Sequence, residues 1–310
     1  MANLPAKVSI NIDFVAKFKY YIKSARLRTL PLSLSGIIIG ISLAAKVCDV
    51  SFLTAFLTCL TTVFLQILSN VSNELGDHLH GTDNDLREGP RYSDGNLSAN
   101  QIKRMVVANV ILAAFSGLAM IWAAFGSLFT NQSLLLIALG ACAIAAAIKY
   151  TLGKNPYGYR AKGDIYVFIF FGLVSVLGSY YVVSAGQIPT SLSLLPAAAI
   201  GFFSIGVLNI NNIRDIVTDA NTRVTTAIKF GEKKAKIYHI ILLCAGWICL
   251  IVYIFLAPFN AKSTVILAII PLYALNARGV YSRTGRELDP MLPMLVMTTF
   301  FLSIIFAICN

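Results

Sequence analysis

Nine stretches of the sequence are apolar enough to cross a bilayer, and this feature constrains the fold more than any other. They lie at approximately 29–47, 51–75, 105–129, 133–149, 165–184, 191–212, 237–258, 263–277 and 290–309, the eighth being the shortest. A spanning helix needs roughly 20 mostly apolar residues, because the bilayer interior offers no water to satisfy an unpaired backbone. The chain has 310 residues, of which 57% are hydrophobic and 13% charged, whereas a soluble domain carries about 25% charged residues. So much apolar surface has no place to go but lipid. The expected fold is all-α: a multi-pass membrane helical bundle of about nine transmembrane helices, with residues 1–310 forming a single integral-membrane domain.

The net charge of +11 raises nucleic acid as a partner, but the distribution of the charges excludes it. Of the 25 Lys and Arg residues, 23 fall in alternate connecting segments, and Lys46 and Lys262 alone lie on the other side. Such a bias marks the cytoplasmic side, so the N-terminus is expected to be cytoplasmic, with membrane lipid as the surrounding partner and the cell (inner) membrane as the location. Residues 1–28 hold six basic residues and no uninterrupted apolar core, which does not describe a cleavable signal peptide. Residues 11–26 mix aromatic and basic positions at helical spacing. They read either as an amphipathic helix on the inner leaflet or as an ordinary basic juxtamembrane segment. The six cysteines lie mostly inside apolar runs and form no C-x-x-C pair, so neither a thiolate metal site nor a disulfide framework is expected.

The acidic residues carry the chemistry. Six of the 14 fall in Glu74–Asp94, and Asp215 with Asp219 form a second group. Both groups sit where an apolar run, the second and the sixth, turns polar at its cytoplasmic end. Asn73 and Asp77 are four residues apart and share a helix face, with Asn70 one turn earlier. Gly81 allows the chain to turn, so that Asp83 folds back toward Asp77. Asn211, Asp215 and Asp219 again step by four, with Asn212 beside them. Two Asn-x-x-x-Asp elements at matching positions suggest two arms facing each other across a cleft. Magnesium takes oxygen ligands and is typically held by one or two carboxylates plus phosphate oxygens. Asp77, Asp83, Asp215 and Asp219 are therefore the candidate metal ligands, with Mg²⁺ as the cofactor. Arg214, Lys149, Lys154, Arg160, Lys162, Arg223 and Lys229 could meet the remaining charge of a diphosphate. His78 and His80, two apart, do not share a helix face and read as exposed loop residues rather than zinc ligands.

These motifs resemble the UbiA superfamily of intramembrane prenyltransferases, in particular its 1,4-dihydroxy-2-naphthoate polyprenyltransferase branch. The first motif runs Gln66, Asn70, Asn73, Asp77, Gly81 and Asp83, and the second Asn211, Asn212, Arg214, Asp215 and Asp219. Gly81 stands where the related hydroxybenzoate enzymes place an Asp. Gly89-Pro90-Arg91, Ala25 through Pro31, Tyr150 through Asp164, and Lys229-Phe230-Gly231 also resemble the naphthoate branch. Asn221-Thr222-Arg223 and Thr225-Thr226 depart from the family's basic residue followed by Thr-Leu in letter but not in sense. The resemblance implies Mg²⁺-dependent transfer of a polyprenyl group from its diphosphate to 1,4-dihydroxy-2-naphthoate, with loss of the ring carboxylate, in menaquinone biosynthesis. It also implies roles: Asp77 and Asp215 in catalysis, Lys149 and then Arg214 as diphosphate contacts, and Arg28 toward the aromatic carboxylate. Tyr150 is implied as a cation-stabilising ring or hydrogen-bond donor, and Asn70, Asn73, Asn211, Asn212 and Arg223 as substrate-binding residues. Two other readings stay open: the same chemistry on hydroxybenzoate, homogentisate, a chlorin or haem, and a membrane transporter. Transporters place their polar sites near the bilayer midplane, whereas here only Asp49 lies away from the acidic edge.

Overall fold

The computed structural model describes residues 17–80, 95–258 and 261–310. Among these residues there is no strand, only one isolated bridge between Arg160 and Val224. Nine helices among the described residues are long and apolar enough to span a membrane. They are α1 (Lys17–Ala44), α2 (Phe52–Leu79), α3 (Ala99–Phe125), α4 (Asn131–Lys149), α5 (Gly163–Val183), α6 (Ser191–Arg214), α7 (Glu232–Leu256), α8 (Ala261–Ser282) and α9 (Gly285–Cys309). Each expected apolar run falls on one of them, so the all-α multi-pass bundle holds.

Local chemistry sets the helix ends. Ser51 and Thr130 cap α2 and α4 by accepting from the backbone N–H groups of Thr54 and Ser133. Ser98 and Gln101 form a reciprocal capping box at the start of α3. Gly126 ends α3 at φ 68, a left-handed conformation that costs glycine nothing. The eighth span is regular only in its second half: Ala261–Ile269 is a tighter 3₁₀ coil, and the α-helix begins at Ile270, just ahead of Pro271.

The helices do not pack evenly. The largest core is built on α1 and α5 to α9, around Phe203 of α6. The ring centroids of Tyr273 and Trp247 lie 4.5 and 6.1 Å from that of Phe203, and Tyr273 donates to Thr299 across to α9. In lipid, such interfaces are held by packing and interhelical hydrogen bonds rather than by water exclusion. His239 of α7 donates to Asn276 of α8, and Asn276 donates in turn to the carbonyl of Met291, tying three helices. By contrast, α2, α3 and α4 bury only two small clusters. Just 11% of the α4 span is buried inside the protein, against 56% of the α6 span.

Between these unequal parts lies a cavity of about 550 Å³. Its walls come from α1 to α6, with Leu292 of α9. The α5 wall is a π-helix over Phe168–Gly178, a wider coil that is rare and tends to mark functional sites. Gly172 lets this coil lie against α6, since a Cβ there would stand 2.7 Å from the Ala197 carbonyl and 2.8 Å from Gly201 Cα.

Candidate active site

One end of the cavity is polar, and the ends of α2 and α6 form it. Arg26, Asn70, Asn73, Tyr150 and Asn211 line that end, while Met120, Ile121, Leu136, Ile137 and Val182 line the rest as apolar wall. The polar end begins with a break in α1. Arg26 has φ 48 and ψ 53, a left-handed conformation that is uncommon for a residue with a Cβ. The surroundings hold it there. Asn70 donates to the carbonyl of Ala25 and to Thr29 Oγ1, Gln66 donates to Asn70 Oδ1, and Thr29 donates to the carbonyl of Arg26. This network uses the amide of Asn70 to fix the break. Arg26 consequently lines the cavity, whereas Arg28 is exposed and does not.

The first arm is the unbroken end of α2. Asn73 accepts from Thr151 Oγ1 and lines the cavity. Asp77, one turn on, is buried and accepts from the phenol of Tyr159 at 2.8 Å. Gly76 brings this helix end against the loop that follows α4, for a Cβ there would stand 2.6 Å from the Thr151 carbonyl. His80 is exposed, with its ring nitrogens near the carbonyls of Gly76 and Gly153. Asp83 lies outside the described residues.

The second arm differs from its expected shape. Helix α6 ends at Arg214, Asp215 takes a non-helical φ −97 and ψ 12, and a short turn of helix, Ile216–Asp219, follows. Asn211, Asp215 and Asp219 therefore do not form one continuous face. Asp215 receives a two-pronged bond from Arg214, Nε to Oδ1 at 2.8 Å and Nη2 to Oδ2 at 2.7 Å. Arg214 also donates to Asn211 and reaches Asp289 at the start of α9. Asn211 lines the cavity; Asn212 is buried beside it and does not.

Asp219 faces the first arm instead. Its carboxylate lies 2.6 Å from Arg223 Nη2, and Arg223 Nη1 lies 3.7 Å from Asp77 Oδ1. A single guanidinium thus stands within ion-pair distance of one carboxylate from each arm. The side chains are nearly inaccessible, at 8% for Arg223, 6% for Asp77 and 0% for Asp219. The two carboxylates, together with Tyr150, raise the pKa of Arg223 above its usual value despite the opposing cost of burial. The backbone around Arg223 is pinned, since Val224 exchanges hydrogen bonds with the segment Tyr159–Ala161. Asp164 adds a further tie by accepting from Thr226 and from Tyr238.

Tyr150 follows α4 and sits beside these charges. Burial pushes its phenol up to about 12, with Arg223 opposing and Asp77, Asp164 and Asp219 adding to the rise. The phenol is therefore neutral at physiological pH. Tyr157 and Tyr166 stack at 3.7 Å, Tyr150 meets Tyr157 edge-on, and Phe170 extends the aromatic wall into the cavity. Lys149, Lys154, Arg160, Lys162 and Lys229 are all exposed, and none lines the cavity. Sequence reasoning assigned no site role to Arg26, Tyr159, Asp164 or Asp289. For Tyr159 a signal existed in its aromatic ring set in a short basic loop; for Asp289 nothing local pointed to the site.

The donor set fits a divalent cation with oxygen ligands. Two buried carboxylates already share one positive group, and neutral Asn oxygens stand nearby. Among the described residues, no three His, Cys, Asp or Glu side chains cluster tightly enough to hold a metal alone. A bound ion would need further oxygens, as magnesium does when it binds together with a phosphate.

Residues 33–307 match the model of the UbiA prenyltransferase family. The chain is 38% identical to the 1,4-dihydroxy-2-naphthoate octaprenyltransferase of Escherichia coli (strain K12), over 92% of this chain and 91% of that one. It is 36% identical to the protein of the same name from Haemophilus influenzae, over 94% and 96% of the two chains. Its fold resembles a UbiA homologue from Aeropyrum pernix K1, with a TM-score of 0.68 at 17% identity over 91% and 96% of the chains. It also resembles a UbiA homologue from Archaeoglobus fulgidus bound to GPP and Mg²⁺, with a TM-score of 0.59 at 14% identity over 93% and 99%.

Proposed function

The chain belongs to the UbiA prenyltransferase family, and from that premise we propose that it is a membrane-embedded transferase that prenylates 1,4-dihydroxy-2-naphthoate. The donor is a polyprenyl diphosphate and the product a demethylmenaquinone precursor in menaquinone biosynthesis. One observation carries the reading: two carboxylates from separate arms share a single cation just beyond Asn73 and Asn211, which line the polar end of an apolar cavity. That arrangement suits a ligand with a charged head and a hydrocarbon tail.

Asp77 and Asp219 would hold Mg²⁺, with Asp215 and Asp83 completing the acidic set, and Asn73 and Asn211 beside them. Bound there, Mg²⁺ supplies Lewis-acid stabilisation of the departing diphosphate. Arg26 faces the anionic groups of the substrates from the broken end of α1, in place of Arg28. Lys149 is exposed and does not line the cavity, and among the described residues Arg214 and Arg223 are the guanidiniums paired with the acidic arms. Tyr150, held neutral, donates a hydrogen bond at the mouth, and the aromatic wall of Tyr157, Tyr166 and Phe170 keeps water from the reacting carbon. The carbon–oxygen bond to the diphosphate breaks, the tail carbon joins the ring carbon that bears the carboxylate, and that carboxylate leaves as carbon dioxide. The apolar wall between α4 and α5 accommodates the tail. The mouth faces the cytoplasm of a cell whose inner membrane holds the protein.

The test is direct. Purified protein incubated with 1,4-dihydroxy-2-naphthoate, a labelled polyprenyl diphosphate and Mg²⁺ should form a prenylated naphthoquinol precursor, and EDTA should stop it. Formation of prenylated hydroxybenzoate instead would reassign the acceptor, and full turnover in EDTA would remove the metal.

A further inference from the structure

The guanidinium of Arg223 stands where a shared cation would stand. It lies 2.6 Å from Asp219 and 3.7 Å from Asp77, its side chain is 8% exposed, and its Nε–H has no acceptor among the described residues. A buried donor without an acceptor is costly, so this geometry serves the two carboxylates at the expense of the arginine. Its ring neighbour Tyr159, 5.8 Å from the guanidinium carbon, also donates to Asp77. The backbone at Val224 is fixed by two hydrogen bonds to the Tyr159–Ala161 segment. A rotation of the Arg223 side chain would leave these two backbone bonds in place. Arg214 differs, because it has Asp289 as well as Asp215 to hold it.

We propose that Arg223 is the resident counter-ion of the cation site. It bridges Asp77 and Asp219 in the free protein. It releases both carboxylates when a divalent cation arrives together with a diphosphate, whose oxygens take over the displaced guanidinium, including its unpartnered Nε–H. A divalent cation alone must displace a positive group whose ion-pair partners among the described residues are the same two carboxylates. Its affinity is reduced by the fraction of time the carboxylates are occupied. Cation and diphosphate thereby bind with positive coupling, and the coupling is reciprocal. The inference rests on the reading of Asp77 and Asp219 as cation ligands.

Equilibrium dialysis of Mn²⁺ against the purified full chain, with and without inorganic pyrophosphate and with a protein-free reference, tests it. The wild type should bind Mn²⁺ weakly alone and on the order of tenfold more tightly with pyrophosphate. Arg223→Gln should bind Mn²⁺ alone on the order of tenfold more tightly than the wild type, with the coupling reduced toward one. Arg223→Lys keeps the charge but cannot span both carboxylates, so it should fall between the two; it carries the test if the glutamine variant does not fold. Variants whose Mn²⁺ affinity and coupling match the wild type would overturn the counter-ion role while leaving the cation site standing. No Mn²⁺ bound by the wild type under either condition would remove the site and the counter-ion together.

Discussion

The two acidic arms carry the same Asn-x-x-x-Asp spacing and are built differently. The first is one continuous helix, so Asn73 and Asp77 keep the face that their spacing dictates. The second breaks at Asp215, which separates its two carboxylates and gives each a different partner. Asp215 turns to Arg214, and through it to Asp289 and the last helix. Asp219 turns to Arg223, and through it to the first arm. One carboxylate of the second arm thus ties the site to the exposed start of α9, while the other meets the first arm. Repeated spacing shows only that two segments can present similar groups; the backbone between those groups decides what each one faces.

The contrast can be broken by substitution, and the largest effect is expected at the facing pair. Asp77→Asn and Asp219→Asn should each lower prenyl transfer by about a thousandfold or more, since each removes charge stabilisation where the diphosphate departs. A labelled-diphosphate assay reads this, and activity within tenfold of wild type in either variant would contradict the facing-pair assignment.

The next effect concerns stability. Asp215→Ala leaves Arg214 nearly buried without its forked partner and should cost about 3 kcal/mol of stability. Asp77→Asn should cost far less, because Arg223 keeps Asp219. Thermal unfolding in detergent should show the first variant melting well below the second. Equal melting would mean that the two arms are anchored alike.

Smaller effects follow at the supports. Arg26→Ala should weaken substrate binding about tenfold as an increase in KM, in line with the loss of a charged hydrogen bond. Arg28→Ala, exposed and away from the cavity, should change little. Tyr159→Phe removes the bond to Asp77 and should slow turnover by about tenfold, given that hydrogen bonds to charged groups contribute about 1.5–3 kcal/mol.

The smallest effect is in the pH profile. The Tyr150 phenol is pushed up to about 12 by burial, so its folded-state value lies above the unfolded one. The stability it contributes is present below about pH 10 and is lost as pH rises through about 12. Between pH 7 and 9 the rates of wild type and Tyr150→Phe should therefore run parallel. A break seen only in the wild type within that range would show a phenol that ionises there.

Much of this was legible in the sequence. The nine spans, the acidic ends of α2 and α6 and the pairing of Asn73 with Asp77 all follow from composition and helical spacing. Asp215 departs from its spacing, since a four-residue step places side chains on one face only while the helix continues. The basic residues depart from theirs as well. Lys149 and Arg28 occupy plausible positions along the chain yet face outward, while Arg26 turns inward because Asn70, forty-odd residues away in sequence, stabilises a left-handed backbone. Arg223 was legible as a basic residue near the second motif, but its place between Asp77 and Asp219 was not.

By itself the sequence determined that this chain lives in a membrane, which segments are apolar enough to cross it, and which helix ends carry the carboxylates. Hydrophobicity and charge are properties of each segment alone and add along the chain, so they need no knowledge of the neighbours. Only the tertiary structure decided which carboxylate meets which arginine and which cation-bearing side chains reach the cavity. Those outcomes depend on side-chain direction at helix breaks, and groups distant in sequence set that direction through hydrogen bonds and close packing.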